Sequence, residues 1–228
     1  MNRREIGFAL AAAVAASVAV GPLAAKEPPA EWDGLVRKSS KRLRYVWLAP
    51  NADFRGYRSV MLDPTQIAFD KNWRRDYNNT QRNPSAWIND ADIEKAVSEA
   101  GRAASEIFAK AFADGGYAIV TAPGPDVLRV TTAVVNIRVP APQKMTAGRS
   151  QTYANEAGSA TLLVEARDSV TGALLGRAAD ARVAGDNSMI MRRSTVSNRA
   201  DFRMLVQRWA KASVEGLNEL KNLAPGPS

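Results

Sequence analysis

Residues Ser159 to Val183 read SATLLVEARDSVTGALLGRAADARV, two β-favouring runs around one turn. Ser159 to Arg167 and Ala173 to Val183 flank Asp168-Ser169-Val170-Thr171-Gly172. Asp and Gly sit at the ends of this five-residue turn, so the stretch predicts a β-hairpin. On its first strand Ala160, Leu162, Val164 and Ala166 alternate inward while Glu165 and Arg167 point out. This is the clearest hairpin signal in the chain.

Upstream, Val127 to Val139 predicts a strand whose apolar parity changes near Val135, Ile137 and Val139, as a bulge or burial on both faces would require. Tyr117 to Thr121 predicts another strand, with Pro123-Gly124-Pro125 between the two. Three earlier β-favouring stretches, Leu43 to Leu48, Ser59 to Leu62 and Gln66 to Phe69, are separated by Pro50-Asn51-Ala52-Asp53, Gly56 and Asp63-Pro64. From Asp92 the period changes to that of a helix. Ile93, Val97, Ala100, Ala104, Ile107 and Ala111 share a stripe, Asn89, Asp90 and Asp92 supply the cap and first-turn acids, and Gly115-Gly116 ends it. A second amphipathic helix runs from Arg199 to Leu223, with Phe202, Leu205, Trp209, Ser213, Gly216 and Leu220 on one side and Asn198 and Asp201 at its start. Strands that do not alternate regularly with helices predict an α+β fold, a mixed and largely antiparallel sheet packed by two long amphipathic helices. Val139 to Gly158 is poor in apolar residues and predicts a mobile loop.

The ends carry different signals. Asn2-Arg3-Arg4 precede an apolar run from Ile6 to Val20, broken by Gly21-Pro22 ahead of Leu23-Ala24-Ala25, the pattern of a signal peptide (1–25) cleaved after Ala25. The run is too short and too alanine-rich for a membrane-spanning helix, so no span is expected after cleavage. Arg3-Arg4 admit a twin-arginine reading, but Ile6-Gly7 after the pair fits general secretion better. Residues 26–31, with Pro28-Pro29, predict an extended tether, 32–222 one domain, and 223–228, with Pro225-Gly226-Pro227, a disordered tail. The expected location is the periplasm.

Of 228 residues, 46% are hydrophobic, and 31 Lys+Arg stand against 23 Asp+Glu. This is an ordinary globular composition with a basic balance, which removal of the leader preserves. His and Cys are both absent. That removes Ser-His-Asp and cysteine nucleophiles, His- or Cys-ligated zinc and His-held haem, and no metal or other cofactor is expected. A lipid-attachment Cys is missing as well. With no disulfide available, the core alone must hold the domain. An exported protein is not expected to meet nucleic acid despite its charge.

Two clusters are candidate binding residues. Residues 37 to 58 hold Arg37, Lys38, Lys41, Arg42, Arg44, Arg55 and Arg58 against Asp53 alone. Such density suits phospholipid head groups, lipopolysaccharide phosphates or acidic wall polymer; it also suits a solvated strand edge that deters pairing. Arg42, Arg44, Arg55 and Arg58 are its candidate residues. Trp73-Arg74-Arg75-Asp76-Tyr77 with Trp87 could line a carbohydrate groove through Trp73, Asp76 and Trp87, or could simply cover the first helix. The enzymatic route that remains is a carboxylate pair drawn from Asp53, Asp63, Asp70, Asp76, Glu156 or Glu165, each of which has a turn, pairing or surface explanation. Catalysis is not expected.

Trp32-Asp33-Gly34-Leu35, Leu48-Ala49-Pro50-Asn51-Ala52-Asp53-Phe54-Arg55-Gly56-Tyr57, Val60-Met61-Leu62-Asp63-Pro64, Phe69, Trp73 to Tyr77, and Arg167 to Leu175 together resemble the bacterial family known as domain of unknown function 3313 (DUF3313). The resemblance implies an exported envelope protein, often a lipoprotein, with no assigned activity or catalytic residues. This chain departs from the lipoprotein pattern in having no Cys to acylate. The expectation is a non-enzymatic accessory or binding module for an envelope protein or an anionic envelope polymer or lipid surface. The alternatives are a carbohydrate- or peptidoglycan-binding, even carboxylate-pair hydrolytic, protein, and self-assembly through an exposed sheet edge.

Overall fold

A computed structural model describes residues 28–81, 83–139, 158–183 and 195–222. The expected leader, most of the expected loop after Val139 and the expected tail lie outside the described residues. The expected hairpin is present as β8 (Ser159–Asp168) and β9 (Leu174–Val183). Asp168 Oδ1 accepts from the backbone N–H of Val170 and Thr171 and from the Thr171 hydroxyl, and Gly172 takes φ +72°. The aspartate thus closes the turn by bonding the backbone beyond it, and the glycine supplies the left-handed residue at its end.

β7 (Val127–Arg138) pairs antiparallel with β8, and Leu128, Val130 and Val134 are buried on one face. The register slips by one residue between Val135 and Arg138, where Asn136 has φ +53°. This bulge returns Ile137 to the buried face, 5% exposed, and explains the parity change. On its other side β7 receives β4 (Ser59–Leu62) and then β5 (Gln66–Phe69), both parallel to it.

The early segment builds the opposite edge. β1 (Glu31–Trp32) and β2 (Leu35–Lys38) form a hairpin in which Asp33 and Gly34 have φ of +52° and +78°. That is the Asp-Gly turn whose twist matches paired strands. β3 (Tyr45–Leu48) joins β2 to β9, and β6 (Ala118–Ile119) pairs with β4. The path is β1-β2-β3-β9-β8-β7-β4-β6, with β5 beside β7, mixed and mostly antiparallel. Pro28 to Glu31, expected within a tether, are held on this edge: Pro29 O accepts from Trp47 Nε1 at 2.9 Å, Ala30 O accepts from Arg37 N, and Glu31 opens β1.

Helices cover one face. α2 (Asp90–Asp114) is capped by Asn89 and Asp92, whose side chains bond each other's backbone N–H. Ala104, Phe108 and Phe112 are its buried residues, while the expected stripe residues Val97, Ala100, Ile107 and Ala111 pack at the margin. The two phenylalanines lie one position beyond Ile107 and Ala111, so the buried face is rotated toward the bulkier side chains. α3 (Thr195–Asn222) buries Leu205, Val206, Trp209, Ala210, Val214 and Leu217. It begins before the expected Arg199, which places Asn198 and Asp201 inside the helix rather than at its cap. α1 (Trp73–Asn79), which the charged sequence of Trp73 to Tyr77 concealed, comes after β5.

Gly115 shows how closely α2 and α3 meet. A Cβ built there lies 2.4 Å from Val214 Cγ1, and Val has little rotamer freedom with which to yield in a helix. Gly115→Ala is expected to lower unfolding stability by roughly 1–3 kcal/mol in urea titrations. Adding Val214→Ala to it should recover part of that loss, and strict additivity of the two changes would contradict the contact.

Candidate functional site

The loop from Ser39 to Arg44 joins β2 to β3, and its shape is set by three side chains. Ser40 Oγ accepts from the backbone N–H of Arg42 at 3.1 Å and of Leu43 at 3.4 Å, and Leu43 enters the core, 6% exposed. Arg42 then bridges to α3, with Nε 2.7 Å from Glu219 Oε1 and NH1 2.7 Å from Glu215 Oε2. The Glu219 hydrogen bond raises the Arg42 pKa further above its ordinary value. Arg42 is therefore an anchor. Lys38, Lys41 and Arg44 are exposed and have no carboxylate partner among the described residues, Arg44 lying 5.3 Å over the Tyr45 ring.

Arg55 and Arg58 lie beyond β3 in the chain. β3 carries the chain from Tyr45, opposite Ala179, to Leu48, opposite Gly176, and the two arginines come after it on the side of the Asp168 turn. There Arg55 clasps Asp53, with NH2 2.7 Å from Oδ2, and this hydrogen bond lowers the Asp53 pKa to about 2. Tyr57 donates its hydroxyl to Asp168 Oδ2 at 2.9 Å, and Lys221 donates to Tyr57 O at 2.7 Å. Burial, reinforced by Asp168, raises the Tyr57 phenol, while bonds from Thr171 lower the Asp168 carboxyl. Arg58 is exposed.

The aromatic candidates also separate. Trp73 stacks on Phe69 with centroids 4.4 Å apart, meets Tyr77 at 5.4 Å and donates Nε1–H to Val139 O at 2.8 Å. Its ring thus seals α1 to β5. Asp76 pairs with its neighbour Arg75 at 2.9 Å. Trp87 is 54% exposed beyond a short 3-10 turn, Pro84–Ala86, and its segment is tied to α1 by the two hydrogen bonds between the Asn78 amide and the Ile88 backbone.

The sheet face away from the helices holds what sequence reasoning missed. Trp47, 1% exposed, meets Trp32 edge-on at 5.3 Å, and Arg177 lies 4.6 Å over the Trp32 ring. Arg177 also pairs with Asp33 and with Glu165, which in turn holds Arg167. Arg129 bonds Asp63 on the same face. Alternation in β8 and β9 places Glu165 and Arg177 outward, but nothing local says that they are opposite each other; the register does. Each described carboxylate of the candidate acid set is paired with an arginine: Asp53 with Arg55, Asp63 with Arg129, Asp70 with Arg138, Asp76 with Arg75, and Glu165 with Arg167 and Arg177. Burial alone would raise Asp70 and Glu165, but their hydrogen bonds outweigh it and both pKa values are lowered. That is the opposite direction from a proton donor at neutral pH. Glu156 lies outside the described residues, and among those residues no group of three or more acids, His or Cys could hold a metal ion.

The model of the family described as protein of unknown function (DUF3313) matches residues 29–213, and the chain belongs to that family. No curated protein matches the sequence. The fold is similar to a PelC dodecamer from Paraburkholderia phytofirmans, at 15% identity and TM-score 0.34, over 73% of this chain and 94% of that one. It is similar to a Xanthomonas campestris protein of the DUF330 family, at 13% identity and TM-score 0.35, over 76% and 90%. A protein described as a neuraminyllactose-binding hemagglutinin homolog from Helicobacter pylori is similar at 11% identity and TM-score 0.34, over 76% and 91%. Likenesses this distant transfer no property to this chain.

The lowered carboxylates set the acid limb of stability. Asp53, Asp70, Glu165 and Asp168 bind protons less readily folded than unfolded, so their contribution is present above the ordinary carboxylate range and is lost as pH falls through the folded values. With no His or Cys, little titrates near neutrality. Urea denaturation is expected to give constant stability from about pH 6 to 8 and a decline below about pH 4.5. In Glu165→Gln the decline should be shallower; a decline already under way at pH 6 contradicts the assignment.

Proposed function

We propose, for this member of DUF3313, an exported, non-enzymatic accessory or binding module that meets an anionic component of the cell envelope through the loop between β2 and β3. The observation that carries this is the loop's division of labour. Leu43 and Arg42 fix it to the core and to α3, while Lys38, Lys41 and Arg44 project without a described carboxylate. A loop held in place loses little freedom on contact, so its charge is available for binding. Export is supported by the basic, apolar and small-residue pattern of residues 2–25. Among the described residues no helix is long and apolar enough to cross a membrane.

The exposure of Trp87 favours a second reading, stacking on a sugar of the wall. Trp73, with one ring face on Phe69, and Asp76, paired to Arg75, offer that reading less, so it rests on Trp87.

Fractionation of the producing cells and co-sedimentation with isolated envelope test both. The protein is expected outside the cytoplasm and bound to envelope in a salt-sensitive manner. Lys38→Glu, Lys41→Glu and Arg44→Glu together should weaken that binding by roughly 100-fold or more. Trp87→Ala should leave it unchanged. Loss through Trp87→Ala with the loop variant still bound would favour the wall reading, and a cytoplasmic protein would overturn both.

A further inference from the structure

The first half of α3 carries a second set of cations. Arg203, Arg208 and Lys211 are exposed around Met204, which is 44% exposed, and Arg199 reaches Glu99 at only 3.5 Å. Of the acids of α3, Asp201 lies ahead of Arg203, half-buried and itself partnered, while Glu215 and Glu219 lie farther along and hold Arg42. From Arg203 to Lys211 the helix carries no acid. Arg199 and Arg203 are like charges four residues apart and Arg208 and Lys211 three apart, while Lys211 has Glu215 four residues on.

Arg42 joins this set to the loop. Its bonds press the Ser39 to Arg44 loop onto the α3 flank at Glu215 and Glu219. Lys211, 3.8 Å from Glu215, lies one turn back toward the start of α3, and Arg208 about 10 Å back. Lys38, Lys41 and Arg44 thus continue the stripe of α3 that carries Arg208 and Lys211, with Arg203 and Met204 a turn and more ahead of it.

We propose that this surface, the outward face of α3 from Arg203 to Lys211 continued by the basic loop, docks on a bilayer bearing anionic phospholipid head groups. The proposal rests on the envelope role above and names its ligand. The cations are strung along more than two helical turns rather than converging on a point, which fits an array of phosphates better than a single anion. Met204 stands among them as the apolar side chain that reaches between head groups, as in interfacial helices. The face belongs to a packed helix, so docking requires no folding step.

The test is flotation with vesicles of phosphatidylcholine, with and without phosphatidylglycerol, at low and high salt, using the protein with the N-terminus it has in the producing cell. Binding is expected only with phosphatidylglycerol and should be lost at high salt. Arg203→Glu, Arg208→Glu and Lys211→Glu together should reduce it by roughly 100-fold or more without changing the thermal unfolding midpoint. If that variant unfolds early, Arg208→Gln with Lys211→Gln serves instead, with an expected loss of roughly tenfold or more. Equal binding to neutral vesicles, or full binding by a folded α3 variant, overturns the proposal. Salt-sensitive envelope binding without vesicle binding, or binding of an acidic glycan alone, overturns the lipid assignment and leaves the envelope role standing. Failure of envelope binding itself removes both.

Discussion

The placement of α3 hangs on one buried polar contact. Trp209 is wholly buried against the sheet, and its indole N–H donates to Oδ2 of Asp180, itself 4% exposed, at 2.8 Å. Arg182 holds the same oxygen at 2.6 Å. An aspartate buried between a sheet and a helix tolerates few arrangements, because a slip of α3 by one turn would leave the carboxylate without its indole partner and the indole without an acceptor. With Trp209 fixed, the later turns of α3 are fixed too: Glu215 and Glu219 beside Arg42, Asn218 beside Tyr117, and Lys221 beneath Tyr57. The helix ties the two ends of the sheet and both early loops to one register.

This constraint also sorts the charges. A basic run that is continuous from Arg37 to Arg58 becomes two separate features once β3 runs through it. At one end Arg55 stays with Asp53; at the other Arg42 is drawn into α3 and its neighbours are left outward. Some of the cations most conspicuous in the linear order thus hold the fold, and cations far away in the chain, on α3, join those that remain. The outer sheet face is balanced by Arg177, Glu165, Arg167, Arg129 and Asp63, whose pairing covers the strands.

Elements with strong local rules were legible in the sequence. The β8–β9 turn, the α2 cap and the β7 bulge each arise from residues within a few positions of one another, and the α+β class rests on them. Asp33-Gly34 was an equally local turn signal, and its hairpin could have been read from it. α1 was hidden because its short run of aromatic and charged residues has no apolar stripe of its own. The partners of Arg42, Arg177 and Asp180 could not be read, since they depend on which strands and helices come together across long stretches of chain. A candidate site built from adjacent residues was therefore bound to break apart where pairing is distant.

One topological detail bears on how the chain reaches this state. β3 near the beginning pairs with β9 near the end, Tyr45 opposite Ala179, and neither β2 nor β1 has another place in the sheet. Loop-closure entropy must be overcome across nearly the whole domain before that edge is gained, so folding is slow and late for the first strands. Leu35 and Trp47 therefore lack Ala179, the third member of their small buried cluster, until β9 is in place, so that part of the core is built from the two ends of the domain.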